Sequence, residues 1–163
     1  MFRMPFIIVI SILFFDQAAK FLVVKNLALN QSIPVLRGIF HISLVHNRGA
    51  AFGMLNNQVP VFIIATILAI TLIALNLKNS KSNKLSLFNI SLYLILGGAL
   101  GNLIDRIFLG YVIDFLDFRI WPVFNIADSA ITIGAVLLGW TILFNDKCQN
   151  PNDKINSKSK IQN

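Results

Sequence analysis

"FNIADSAITIGAVLLGW" occupies residues 124–140. It reads as the start of a membrane-spanning helix, and a carboxylate, Asp128, sits where the apolar stretch begins. Ionised carboxylates are costly to move out of water. Asn125 offers a local explanation. It is suited to cap a helix, which places Asp128 at the third helical position, facing unpaired backbone N–H groups and the positive end of the helix dipole. Capping leaves a second acid unexplained. "YVIDFLDF", residues 111–118, sets Asp114 among Val112, Ile113, Phe115 and Leu116, with no basic neighbour at helical spacing.

Composition extends the membrane reading to the whole chain. Of 163 residues, 56% are hydrophobic and 13% charged, with a mean hydropathy of +0.72. A soluble domain carries roughly a quarter charged residues. The formal charge of +7 raises nucleic acid as a partner. The basic residues are not interleaved with aromatics, however, and many lie in "LKNSKSNK" (77–84) and the polar tail 147–163, so no nucleic-acid partner is expected. Cys148, the single cysteine, has no histidine near it in sequence and reads as an incidental thiol.

A hydrocarbon core of about 30 Å takes about 20 helical residues. Four segments qualify: 5–24, 60–77, 85–103 and 124–144. The first resumes its apolar run after "DQAAK" and is expected to be retained, not cleaved as a signal peptide. Arg3, Lys78, Lys81, Lys84, Lys147, Lys154, Lys158 and Lys160 all fall on one side of this arrangement. The positive-inside rule then puts both termini and the tail in the cytoplasm, and connections 26–59 and 104–123 outside. The fold class is a mainly α, polytopic membrane protein with four transmembrane helices and a small β-sheet on the outer face. Residues 1–146 form the membrane domain and 147–163 a cytoplasmic tail.

This topology brings the unusual polar residues to one depth, at the outer leaflet. Asp16 and Lys20, four apart, can pair on one helix face. Asp105 and Arg106 emerge where the third span reaches the surface, either as a helix-end pair or with the arginine reaching carbonyl or headgroup oxygens. In the first outer connection, "GIFHISLVHN" (38–47) alternates Phe40, Ile42 and Leu44 with His41 and Ser43. That period places a strand in an interfacial sheet covering about 35–55. His41 and His46 belong to its polar side, and their spacing does not support a metal. Asp117 and Arg119 suit an exposed interfacial pair.

Other polar positions have two readings. Gly97 and Gly101 stand in a GxxxG relation, which serves close helix packing. Asn102 either bonds a neighbouring helix or holds a peptide backbone, since its amide offers donors and an acceptor. Asp16 and Lys20 are chiefly structural, a buried pair fixing helix packing. If Asp114 and Asp128 meet in a dry site, both cannot easily ionise. One keeps a proton while the other acts as a base, and such a pair activates water against an amide.

Five strings in order carry a resemblance: "DQAAK" (16–20), "NRGAAFG" (47–53), "GGALGNLIDR" (97–106), "GYVIDF" (110–115) and "FNIADSAI" (124–131). The chain resembles the bacterial lipoprotein signal peptidases, or signal peptidase II. The resemblance implies a metal-independent, cofactor-free aspartyl endopeptidase of the bacterial cytoplasmic membrane, with its active site at the outer leaflet. It implies cleavage of diacylglyceryl-modified prolipoproteins immediately before the lipidated cysteine. Asp114 and Asp128 match the catalytic pair. Asn47, Asn102, Arg106 and Asn125 match residues that orient substrate or support the pair; Asp16 and Lys20 match polar positions of the family, and with Asp105 they are expected to be chiefly structural. Membrane lipids and lipid-modified prolipoproteins are the expected partners, and a monomer the expected state.

Three other functions compete. A transporter also uses intramembrane acids, but spreads them through the membrane depth, and no inverted repeat is evident here. An assembly protein explains Asp16, Lys20 and the glycines without needing both acids. A metal-dependent lipid enzyme would use several aspartates as Mg²⁺ ligands and would be sensitive to chelators.

Overall fold

A computed structural model describes residues 3–49, 58–79 and 86–144. Helix α1 covers Arg3–Asn26, α2 Val59–Asn79, α3 Leu87–Leu109 and α4 Ile126–Phe144. Each contains a segment long and apolar enough to cross a membrane. Half of α3's apolar window is buried inside the protein and none of α2's, so α3 is the central helix and α2 the most lipid-exposed. Outward-facing Phe14, Phe21, Ile64, Leu72, Val136 and Leu143 are all at least half exposed. In water they would be a liability; against hydrocarbon they cost nothing.

The third span runs well beyond residue 103. Ser86 opens α3 by accepting the Asn89 N–H at 3.2 Å. Gly110 closes it in the left-handed conformation, φ 76°, donating its N–H to the Arg106 carbonyl. A non-glycine residue would be strained there. Asp105 and Arg106 therefore lie within the last turns of the helix instead of emerging beyond it. Asp105 is buried. The fourth helix starts at Ile126, because Phe124 is held in a β-bridge to Leu116.

Strands β1 (Ser32–Leu36), β2 (Phe40–Asn47) and β3 (Val112–Asp117) form an antiparallel sheet in that order. The sheet is broader in sequence than the 35–55 expectation. Its third strand comes from the connection between α3 and α4, where "VIDFLD" has the β-branched and aromatic residues that suit a strand. Residues 50–57 lie outside the described residues. The alternation along β2 is interrupted by a register shift between Ile42 and Val45, so Ser43 is buried with Leu44. Leu44, Ile113, Phe115 and Val23 of α1 form the core between sheet and helices.

Small residues set the helix spacing. A methyl group added at Gly98 would stand 2.3 Å from the Ala127 carbonyl oxygen. At Gly101 it would stand 2.8 Å from Asp16 Oδ2, and at Gly134 2.8 Å from the Ser91 carbonyl. At Gly97 the added methyl would stand 3.0 Å from the Ile12 side chain. The GxxxG pair thus seats α1, and its face continues through Gly98 onto α4. Gly98→Ala should lower stability by about 1–3 kcal/mol, because the obstructing atom is backbone. Gly139→Ala, with nothing within 4 Å, should change it little. Thermal unfolding of the detergent-solubilised variants compares the two.

Candidate active site

Lys20 is the buried cation around which the polar side chains gather. Its Nζ lies 2.7 Å from Asp16 Oδ2 and 2.7 Å from Asp105 Oδ2, and donates to Asn102 Oδ1 at 3.1 Å. Gln17 Nε2 donates to Asp105 Oδ1 at 3.0 Å and to the Gly101 carbonyl. Each acid also accepts a backbone N–H across elements. Asp16 Oδ1 accepts that of Ala127 at 2.9 Å, satisfying an otherwise unpaired donor at the start of α4. Asp105 Oδ2 accepts that of Ile113 at 3.1 Å, tying α3 to β3. Among the described residues, no buried side-chain nitrogen or oxygen lacks a partner.

Two amides carry this network to Asp114 and Asp128. Asn102 receives Lys20 on its oxygen, which turns its nitrogen toward Asp128 Oδ1, 2.7 Å away. Asn125 Nδ2 donates to Asp114 Oδ1 at 2.7 Å and to Asn102 Oδ1 at 3.1 Å. The capping interaction is reciprocal. The Asp128 N–H donates to Asn125 Oδ1 at 2.8 Å, and the Asn125 N–H to Asp128 Oδ2 at 3.3 Å. This is a capping box with aspartate at the third helical position.

Asp114 lies on strand β3, opposite Val45 of β2. Two residues farther along β2, Asn47 shares its sheet face and donates to Asp114 Oδ2 at 2.9 Å, a diagonal cross-strand contact. Asn47 is itself held by the Gly49 N–H at 2.9 Å. Bonds between Leu116 and Phe124, 2.7 and 3.1 Å, fold the chain back after β3 and set Asn125 beside Asp114.

Both aspartates line a cavity of about 740 Å³, together with Asn47, Arg106, Phe62 and an apolar wall that includes Trp121 and Ile133. Asp114 is 1% exposed. Burial, reinforced by the charge of Asp128, pushes its carboxyl up to about 7, against the hydrogen bonds of Asn47 and Asn125 and the charge of Lys20. Asp117 differs: burial pushes it up, but bonds from Ser43 and Arg119 outweigh this and leave it below its ordinary value.

The paired charges anticipated at Asp16 and Lys20 are present, with Asp105 as a third member. A helix-end pair between Asp105 and Arg106 is not formed. Successive helical residues point in different directions, so Asp105 turns to Lys20 while Arg106 faces the cavity and the Phe62 ring. Asp117 and Arg119 do pair, at 3.0 Å, but Asp117 is buried, not exposed. His41 bonds to Ser32, and His46 stacks on Tyr111. Sequence reading passed over Gln17 and Phe62. Gln17 was detectable as an uncharged polar residue within an apolar span; Phe62, one of 14 phenylalanines, carried no such signal.

These features define a four-helix membrane protein with two linked carboxylates facing one cavity. The model of the family described as signal peptidase (SPase) II matches residues 8–144. The chain belongs to that family, and with it to the aspartic-type peptidases. It is 46% identical over 135 residues to a lipoprotein signal peptidase of Halothermothrix orenii, covering 83% of this chain and 92% of the relative. A lipoprotein signal peptidase of Moorella thermoacetica is 47% identical over 141 residues, covering 86% and 93%. A solved structure described as a bacterial membrane enzyme, obtained by the in meso method at 2.3 Å, superposes with a TM-score of 0.83 at 30% identity, covering 92% of this chain and 93% of its own.

Lys20→Met retains much of the stem but leaves Asp16 and Asp105 facing one another without their cation. We expect a loss of about 3–5 kcal/mol, the usual cost of removing one partner from a buried ion pair. Thermal unfolding in detergent measures it.

Proposed function

We propose that this protein removes signal peptides from diacylglyceryl-modified prolipoproteins, cutting the amide bond immediately before the lipidated cysteine. The observation that carries the reading is the placement of Asp114 and Asp128 on one cavity, joined by the Asn102 and Asn125 amides. Asp114 and Asp128 are the catalytic pair. Asn47, Asn102, Arg106 and Asn125 orient the substrate or the pair, and Asp16, Lys20 and Asp105 hold the scaffold. Residues 1–146 constitute the peptidase domain and 147–163 a cytoplasmic tail. Both termini face the cytoplasm of a bacterial cell, and the cavity opens at the outer leaflet of the cytoplasmic membrane. The enzyme works as a monomer, without metal or cofactor.

Chemistry follows from one proton shared by two acids. Substrate enters sideways from the bilayer, keeping its acyl chains in lipid, with the scissile amide between the carboxyls. Asp114, whose carboxyl is pushed up to about 7, donates its proton to the carbonyl oxygen. Asp128 removes a proton from the attacking water, and a tetrahedral diol forms. Asp128 then passes its proton to the amide nitrogen as the C–N bond breaks. A hydroxyl proton of the diol returns to Asp114 as the new carboxyl group forms, which restores the starting state.

Purified protein should cleave a lipid-modified prolipoprotein in the presence of a chelator. Asp114→Asn and Asp128→Asn should each lower turnover by at least about a thousandfold, since a pair acting as a unit fails when either member is lost. Full activity in either folded variant contradicts the assignment.

The acid form of Asp114 is present below about pH 7 and lost above it. Cleavage should therefore fall along an alkaline limb centred near pH 7. The Asn47 bond favours the carboxylate. Asn47→Ala should raise the Asp114 pKa and move the limb to higher pH. A limb that stays in place or moves down contradicts this role for Asn47.

A further inference from the structure

Phe62 lies in the first turns of α2, where its N–H is bonded back to the Gln58 carbonyl. It joins the cavity wall, although the apolar window of its helix has no buried residues. The guanidinium carbon of Arg106 sits 5.2 Å from the centre of the Phe62 ring. None of the described carboxylates forms an ion pair with Arg106, although the charges of Asp128, Asp114 and Asp105 act on it. A guanidinium without a carboxylate partner retains its directed N–H donors for a ligand. A long side chain left to itself would also sample many rotamers, and ordering them costs free energy each time a ligand binds.

We propose that Phe62 is a positioning residue that acts through Arg106. Its ring face holds the guanidinium over the cavity by a cation–π contact, so that Arg106 meets the substrate's carbonyl or headgroup oxygens already oriented. The inference rests on the substrate-orienting role given to Arg106 in the proposed function. It adds that α2, otherwise a lipid-facing helix, contributes to substrate affinity through one aromatic side chain. An aliphatic residue would fill the same space without the negative ring face that attracts the cation.

The test compares Phe62→Leu, Phe62→Met, Phe62→Trp, Arg106→Gln and the Phe62→Leu/Arg106→Gln double variant. Each is the full chain in detergent micelles, assayed on one lipid-modified prolipoprotein, with an unfolding temperature to confirm folding. Phe62→Leu and Phe62→Met should raise KM by roughly 3- to 30-fold, the range of a partly desolvated cation–ring contact, with kcat within about twofold. Phe62→Trp should stay near the wild-type KM. In the Arg106→Gln background, Phe62→Leu should add nothing. Equal losses from Phe62→Leu with and without Arg106, or failure of Trp to outperform Leu and Met, would show plain packing and overturn the inference. Wild-type KM in Arg106→Gln overturns it through Arg106 while leaving the aspartate assignment intact. No cleavage by the wild-type protein removes the proposed function itself, and the inference with it.

Discussion

A buried lysine between two aspartates is the constraint on which this structure depends. Lys20 is 1% exposed, and neither it nor its partners could lie at this depth alone. Because each acid also receives a backbone N–H, the cluster fixes main chain as well as side chains. Asp16 anchors the start of α4 and Asp105 anchors β3, so one ion cluster in α1 and α3 positions the two elements that carry Asp128 and Asp114. The missing Cβ atoms at Gly98 and Gly101 let the helices approach closely enough for these bonds to form.

From that cluster outward, polarity is passed on by neutral groups. Asn102 accepts from Lys20 and Asn125 and donates to Asp128; Asn125 accepts from Asp128 and donates to Asp114. An amide is suited to this position because it both donates and accepts without adding a charge. Each carboxylate is thereby oriented while remaining open to the cavity. The same dryness that lets Asp114 hold a proton near neutrality strengthens every hydrogen bond around it.

Much of this was legible in the chain. Hydropathy gave the four spans, and the spacing of Asp16 and Lys20 gave their pairing. "NIAD" described its own cap. What sequence left open came from contacts between distant segments. Asp105 and Arg106, adjacent in sequence, appeared equally suited to pair, and only the packing of α3 against α1 sends one to Lys20 and the other to the cavity. The strand character of "VIDFLD" became apparent once β2 provided its partner, since a short apolar run has no unique local structure. Gln17 was visible as an uncharged polar residue in an apolar span, whereas Phe62 lay among many similar aromatic side chains in apolar helices.

The central claim is that the Asp114–Asp128 pair keeps one proton far above the ordinary carboxylate range, up to about pH 7. Isotope-edited infrared spectroscopy tests this most directly, with [4-¹³C]aspartate-labelled protein titrated from pH 4 to pH 9 and Asp114→Asn identifying the band. The account predicts a protonated carboxyl band, absent from that variant, that disappears with a midpoint near pH 7. A band lost with an ordinary carboxylate midpoint near pH 4, leaving both acids ionised at neutrality, would contradict it.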